Sequence, residues 1–114
     1  MSYKVVRANE AYKYDAPGHY DVLTTRLHNP TDVNEGRVTM GLSHFLPGGG
    51  AEMKTSPAEI IYYIVSGEMT IYTEDGEYCL KAGDSIHLGP NTPRGCKNTG
   101  IVAAQMLVIV VNVK

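Results

Sequence analysis

The chain has 114 residues, 43% of them hydrophobic, and a formal charge of −2. That length bounds one domain with a real but modest core, burying somewhat under ~70% of its unfolded surface. Without a basic stripe the charge argues against a nucleic-acid partner, and no apolar run reaches the ~20 residues that cross a bilayer.

Met1-Ser2-Tyr3-Lys4 lacks the apolar stretch of a signal peptide, which points to a cytoplasmic protein. Pro17-Gly18 is turn chemistry, and a strand is expected within 18–27 through Tyr20 to Thr24. The stretch Asp15 to Glu35, with Asn29-Pro30-Thr31-Asp32, reads as a surface excursion or a lid over a mouth. His19 and His28 lie in it and read as solvated. Arg37 to Leu46 is a strand, ended by Pro47-Gly48-Gly49-Gly50. Ile60 to Val65 is a β-branched and aromatic run of the kind strands prefer. Met69–Thr73 and Glu77–Leu80 flank Glu74-Asp75-Gly76, a hairpin signal that suggests a tight I′ turn. Strands follow over Asp84–Leu88 and Ile101–Val113, the second apolar enough to be covered on both faces. No helix period and no internal repeat is present. Short strands between Gly/Pro turns argue an all-β sandwich or barrel.

Cys79 and Cys96 form no Cys-x-x-Cys pair and read as reduced packing thiols. Ser43, Ser56 and Ser66 show no nucleophile elbow, and Gly48-Gly49-Gly50 opens no helix, so it reads as a turn rather than a phosphate cradle.

One frame is more specific. Pro47-Gly48-Gly49-Gly50 precedes Tyr62-Tyr63-Ile64-Val65-Ser66-Gly67-Glu68, then Gly83-Asp84, Pro93-Arg94-Gly95 and Asn98-Thr99-Gly100. Over residues 37–112 this resembles the two motifs of the cupin family. The resemblance implies a double-stranded β-helix, or jelly-roll, barrel. Residues 1–36 would be an N-terminal strand and loop region of the same single domain, 1–114. The family's histidines and glutamate hold a metal ion inside the barrel. Counted on this chain, the glutamate position is Ile60, and the first two histidines fall on Lys54 and Ser56, or on Met53 and Thr55. The third histidine is Arg94, a proline position holds Gly89, and a glycine position holds Asn91, a residue that tolerates left-handed φ. A protonated Lys, an Arg or an Ile has no lone pair for a metal, so the expectation is a cupin-like protein with no metal and no other cofactor. The alternative is a displaced metal site, with a bulge turning Glu59 inward to join Glu52, His44 and His87.

The resemblance further implies that Lys54 and Arg94 replace inward-pointing ligands. Glu52, Lys54 and Ser56, two apart, would then share one wall, with Tyr62 inward and Tyr63 outward. Arg94 and Lys54 could clamp a carboxylate or phosphate. Arg94 could instead pair with Glu52 or Glu59 while Lys54 reaches out of the mouth. His87, His44 and Tyr62 are candidates to move a proton, although a strand histidine or tyrosine is as readily a packing residue. Three functions stay open. They are a metal-independent isomerase, epimerase or lyase on a small carboxylated or sugar-derived metabolite, a non-catalytic metabolite-binding module, and a metal-dependent cupin with displaced ligands. The apolar end strand suggests a homodimer.

Overall fold

The computed structural model describes residues 3–28 and 36–112. The architecture is an all-β jelly-roll barrel, with nine strands among the described residues: β1 Tyr12–Tyr14, β2 His19–His28, β3 Val38–Lys54, β4 Glu59–Ser66, β5 Glu68–Thr73, β6 Gly76–Lys81, β7 Ser85–Leu88, β8 Arg94–Lys97 and β9 Ala104–Val111. They form one curled sheet in the order β6-β5-β8-β3-β9-β4-β7, with β2 on β3 and β1 on β2. The turn between β6 and β7 closes back onto β4: Gly83 N donates to Ile64 O at 2.8 Å and Ile64 N to Asp84 O at 3.0 Å.

The expected strands are present with small shifts, and two more, β1 and β8, were not anticipated from sequence. The clearest correction concerns the Pro47–Gly50 segment. It does not end a strand, because β3 continues through it to Lys54. Gly48 takes a left-handed φ of +84°, which bends the strand without breaking it. At Gly49 and Gly50 the neighbouring chains come so close that a Cβ would sit 2.2 Å from Asp21 O and 2.1 Å from Cys96 O. Asn98 pins the bend. Its backbone N donates to Gly49 O at 2.7 Å, and Gly48 N donates to Asn98 O at 2.8 Å. The buried Asn98 Nδ2 also donates to Val102 O at 2.8 Å and Phe45 O at 3.2 Å, while Oδ1 accepts from Gly100 N at 2.9 Å.

The β5–β6 hairpin forms, with Thr73 opposite Gly76. Its two connecting residues, Glu74 and Asp75, lack the positive φ of a I′ turn, which is confined to Gly76 at +146°. Asn91 does adopt the left-handed conformation, φ +61°. The N-terminal stretch is neither lid nor excursion where it is described: β2 hydrogen-bonds to β3 over most of its length and forms barrel wall. Asn29-Pro30-Thr31-Asp32 lies outside the described residues.

Side chains on the inner face pack Phe45, Ile64, Met69, Ile71, Cys96, Ala104 and Met106 into one cluster. Burying a side chain the size of Phe45 or Ile64 contributes about 1.5–3 kcal/mol each. The cluster fills one end of the barrel and leaves the other open. Among the described residues no helix is long and apolar enough to cross a membrane.

Candidate functional site

The open end is a cavity of about 240 Å³. Period-two alternation decides what faces it. On β3, Thr39, Gly41, Ser43 and Phe45 point in; on β9, Met106, Val108 and Val110; on β4, Tyr62; on β2, Thr24 and Arg26. The rows match across the sheet: Arg26 opposite Gly41, Gly41 opposite Val108, and Val108 opposite Tyr62. A register shift at Asp21, whose φ is +50°, separates Tyr20 from Val22 and lets His19 face the same cavity as Thr24 and Arg26.

Arg94 is buried, 8% exposed, at the start of β8. Its Nη1 donates to Lys54 O at 3.4 Å, and its guanidinium lies beside the Tyr62 phenol. No described carboxylate forms an ion pair with it; the ion pair seen among the described residues is His87–Glu59. Burial pushes the Tyr62 hydroxyl above its ordinary pKa, and the opposing pull of Arg94 does not overcome that. Tyr62 is therefore a neutral donor at physiological pH. Cys96, in the wall beside it, is pushed up by burial to about 11 and stays a thiol.

His19 is the residue that sequence reading placed wrongly. It lines the cavity and is half-buried, and burial, with the charges of Lys54 and Arg94 nearby, lowers its pKa. Its Nδ1 donates to Pro17 O at 2.9 Å, which leaves Nε2 as the lone-pair nitrogen of a neutral imidazole. Arg26 was missed as well. Its Cζ lies 4.5 Å from the Tyr14 ring centroid, and its buried Nε has no hydrogen-bond partner. The signal for both was present in the sequence as the alternation Val22, Thr24, Arg26, once the bulge at Asp21 is allowed for.

The other candidates divide. Lys54 pairs in register with Arg94, but only because a bulge lies between Ala51 and Lys54. That extra residue breaks the shared wall expected for Glu52, Lys54 and Ser56. Lys54 is exposed at the rim, with Nζ donating to Pro17 O at 3.0 Å. Glu52 is exposed, its carboxylate beside Gly18. Ser56 caps a turn, with Oγ accepting from Ala58 N at 3.1 Å. His44 and His87 point away from the cavity. His44, on β3 between the inward Ser43 and Phe45, meets Gln105 at 3.4 Å. His87 lies opposite the outward Ile61 and pairs with Glu59. The structure thus brings Tyr62 and Arg94 together and separates both from His44 and His87.

Residues Glu59 to Ile64 pair with β9 without a bulge, so Glu59 stays on the outer face and joins no inward cluster with Glu52. Among the described residues no three His, Cys, Asp or Glu side chains come together. The groups at the family's four ligand positions, a guanidinium, an ammonium, an isoleucine and the Ser56 hydroxyl, offer no set of imidazole, carboxylate or thiolate donors for a transition metal.

Residues 41–110 match the family model described as "Cupin domain". The chain belongs to the cupin family. A β-D-galactosidase of Mycobacterium tuberculosis is 35% identical over 94% of this chain and 92% of its own. A solved structure from Thermotoga maritima, described as a predicted oxalate decarboxylase, superposes with a TM-score of 0.83 at 21% identity, over 96% of this chain and all of that one. The polyketide cyclase RemF from Streptomyces resistomycificus gives 0.82 at 18% identity, over 99% of this chain and 87% of its own. At those identities the two structures speak for this cupin's fold and not for its chemistry.

Proposed function

We propose that this cupin binds a small carboxylated or sugar-derived metabolite in its barrel without the family's metal, and moves a proton on it as an isomerase, epimerase or lyase does. One observation carries the reading: Arg94 is buried beside the neutral Tyr62 without a carboxylate partner among the described residues. A buried guanidinium lacking an anion is costly, and a ligand carboxylate would supply that anion as a bidentate partner. Lys54 at the rim adds a second positive charge.

In this reading the neutral His19 takes a proton from the carbon next to the substrate carbonyl. The electron pair moves onto the carbonyl oxygen, where the Tyr62 hydroxyl and Arg94 stabilise the enolate. On an α-hydroxy carbonyl the proton then returns from His19 to the former carbonyl carbon while the α-hydroxyl proton passes to the oxygen on that carbon, an isomerisation that balances without an oxidant or reductant. His19 replaces His44 and His87, which stand outside the cavity. The size supports a small ligand, since about 240 Å³ lies below the range of drug-sized pockets, roughly 300–1,000 Å³. The relative at 35% identity favours the sugar-derived end of the class.

The test is binding of small carboxylates to wild-type and Arg94→Gln protein by calorimetry. Affinity is expected to fall about 10- to 100-fold, the worth of a charge-assisted hydrogen bond pair, with little change in Tm. A large loss of Tm with unchanged affinity would assign Arg94 to structure alone. Exchange of a substrate carbon-bound hydrogen with deuterated water separates catalysis from the non-catalytic binding module.

A second reading, hydrolysis of a β-D-galactoside, is favoured by the name of the same relative. Such hydrolysis commonly uses two carboxylates flanking the bond, and no Asp or Glu is among the residues lining the cavity. Release of nitrophenol from its β-D-galactoside, lost in Glu52→Gln, would favour this reading over ours.

We further propose a cytoplasmic homodimer. Leu42, Leu107, Ile109, Ile61 and Tyr63 share the outer face of the β3–β9–β4 wall. Light scattering should give twice the 12.4 kDa chain mass, and Leu107→Glu should halve it. The free thiol of Cys79 on the surface suits a reducing compartment.

A further inference from the structure

We infer that the cavity is a two-point anion site, with Arg26 as a second anion-binding residue, and that its ligand is a small dianion. The inference rests on the anion reading of Arg94 above and adds the class of molecule.

The two guanidinium groups belong to different parts of the barrel. Arg26 pairs with Gly41 on the first stretch of β3, and Arg94 with Lys54 at its last residue. Arg26 and Tyr62 stand at the two ends of one cross-strand row running β2, β3, β9, β4. Three inter-strand steps of about 4.8 Å put them about 14 Å apart along the sheet, and its curl turns both side chains into the same cavity. Arg94 lies beside Tyr62, so it anchors the far side.

Arg26 is held ready rather than paired. Its guanidinium rests on the face of Tyr14, which in turn stacks on Tyr12 with centroids 6.0 Å apart. That contact uses the flat face of the fork and leaves its edge available for a planar acceptor. The buried Nε has no partner, and no described carboxylate forms an ion pair with the group. Three of the polar neighbours are already engaged: the Thr24 hydroxyl donates to Tyr14 O, and Asn112 Nδ2 donates to Gly36 O at 3.0 Å and Thr39 Oγ1 at 3.2 Å. Between the two guanidiniums the lining mixes apolar Phe45, Met106, Val108 and Val110 with polar Thr39 and Ser43. Arg26 in the lining, and Arg94 beside the lining residue Tyr62, fit a short hydroxylated carbon skeleton with an acid group at each end. A dicarboxylate has that form, and so does a sugar acid carrying a phosphate. A neutral sugar would leave both cations unmatched.

The probes are D-glucarate and D-gluconate, six-carbon acids that differ in having two carboxylates or one. Binding is measured by calorimetry at one ionic strength. Wild-type protein is expected to prefer glucarate about 10- to 100-fold; Arg26→Gln should bring the ratio close to one, and Arg26→Lys should restore part of it. Should Arg26→Gln fail to fold, as judged by circular dichroism, the wild-type ratio and the Arg26→Lys variant still decide. Equal affinities in the wild type, or a preference that survives Arg26→Gln, overturn the two-point site. They leave the anion reading intact provided gluconate binding still falls in Arg94→Gln. If neither acid binds the wild type saturably, both readings fail together.

Discussion

The two faces of the β3–β9–β4 wall are built from alternate residues of the same strands, and they differ in kind. Inward, Tyr62, Val108 and Gly41 border a cavity lined also by Arg26, whose buried Nε lacks a partner, with Arg94 beside Tyr62. Outward, Ile61, Leu107 and Leu42 are flanked by His87, paired with Glu59, and by His44, which meets Gln105. The outer polar groups have partners or water and so carry little unspent interaction. The inner guanidiniums form no ion pair among the described residues, with Arg94 buried and Arg26 partly buried. Chemistry is thus expected where burial and missing partners coincide, whichever residue type looks more reactive on paper.

The comparison breaks most readily at the thiols. Burial holds Cys96 near 11, so about one molecule in a thousand is thiolate at pH 8, whereas Cys79 is exposed. A thiol reagent should titrate one cysteine per native chain quickly and the second only after denaturation; two fast equivalents would show that the cavity wall is open. Next in size is the core. Phe45→Ala should cost about 3–5 kcal/mol in urea unfolding, against under ~1 kcal/mol for Leu23→Ala on the outer face.

The pH dependence sharpens the contrast further. The folded state lowers the His19 pKa, so it binds this proton more weakly than the unfolded chain. Stability from this group is present above the ordinary value of 6.5 and is lost as pH falls below it. The Tm of wild type relative to His19→Gln should therefore drop between pH 7 and pH 5, and a rise would reverse the assignment of His19 as a buried neutral base. The smallest effect is expected at His87→Ala: its pair with Glu59 is exposed, such pairs are worth about 0–1 kcal/mol, and ligand affinity should not change.

Much of the fold was legible because glycines and Asn98 impose conditions no other residue meets at those places. Asn98 satisfies three backbone groups at once, and Gly49 and Gly50 allow contacts a Cβ would forbid. The site was legible only where alternation ran unbroken. Tyr62 and Ile60 follow a regular strand and were assigned the correct face. Lys54 and His19 lie beyond bulges at residues 51–54 and at Asp21, and a one-residue insertion inverts every later assignment of inside and outside. Arg26 looked like one more scattered cation, since nothing in the spacing of Tyr14 and Arg26 announces that a hairpin stacks them.

The sheet order has a consequence for how the protein comes into being. β3 and β4 are consecutive in the chain, yet in the sheet they flank β9, which is made after both. A nascent chain on the ribosome can form the β5–β6 hairpin early, but it must keep the edges of β3 and β4 unpaired until residues 104–111 emerge and slot between them. Folding is therefore expected to be slow and late, governed by long loop closure. During that interval two apolar strand edges stand open to other chains, which makes this the stage at which aggregation competes with the finished barrel.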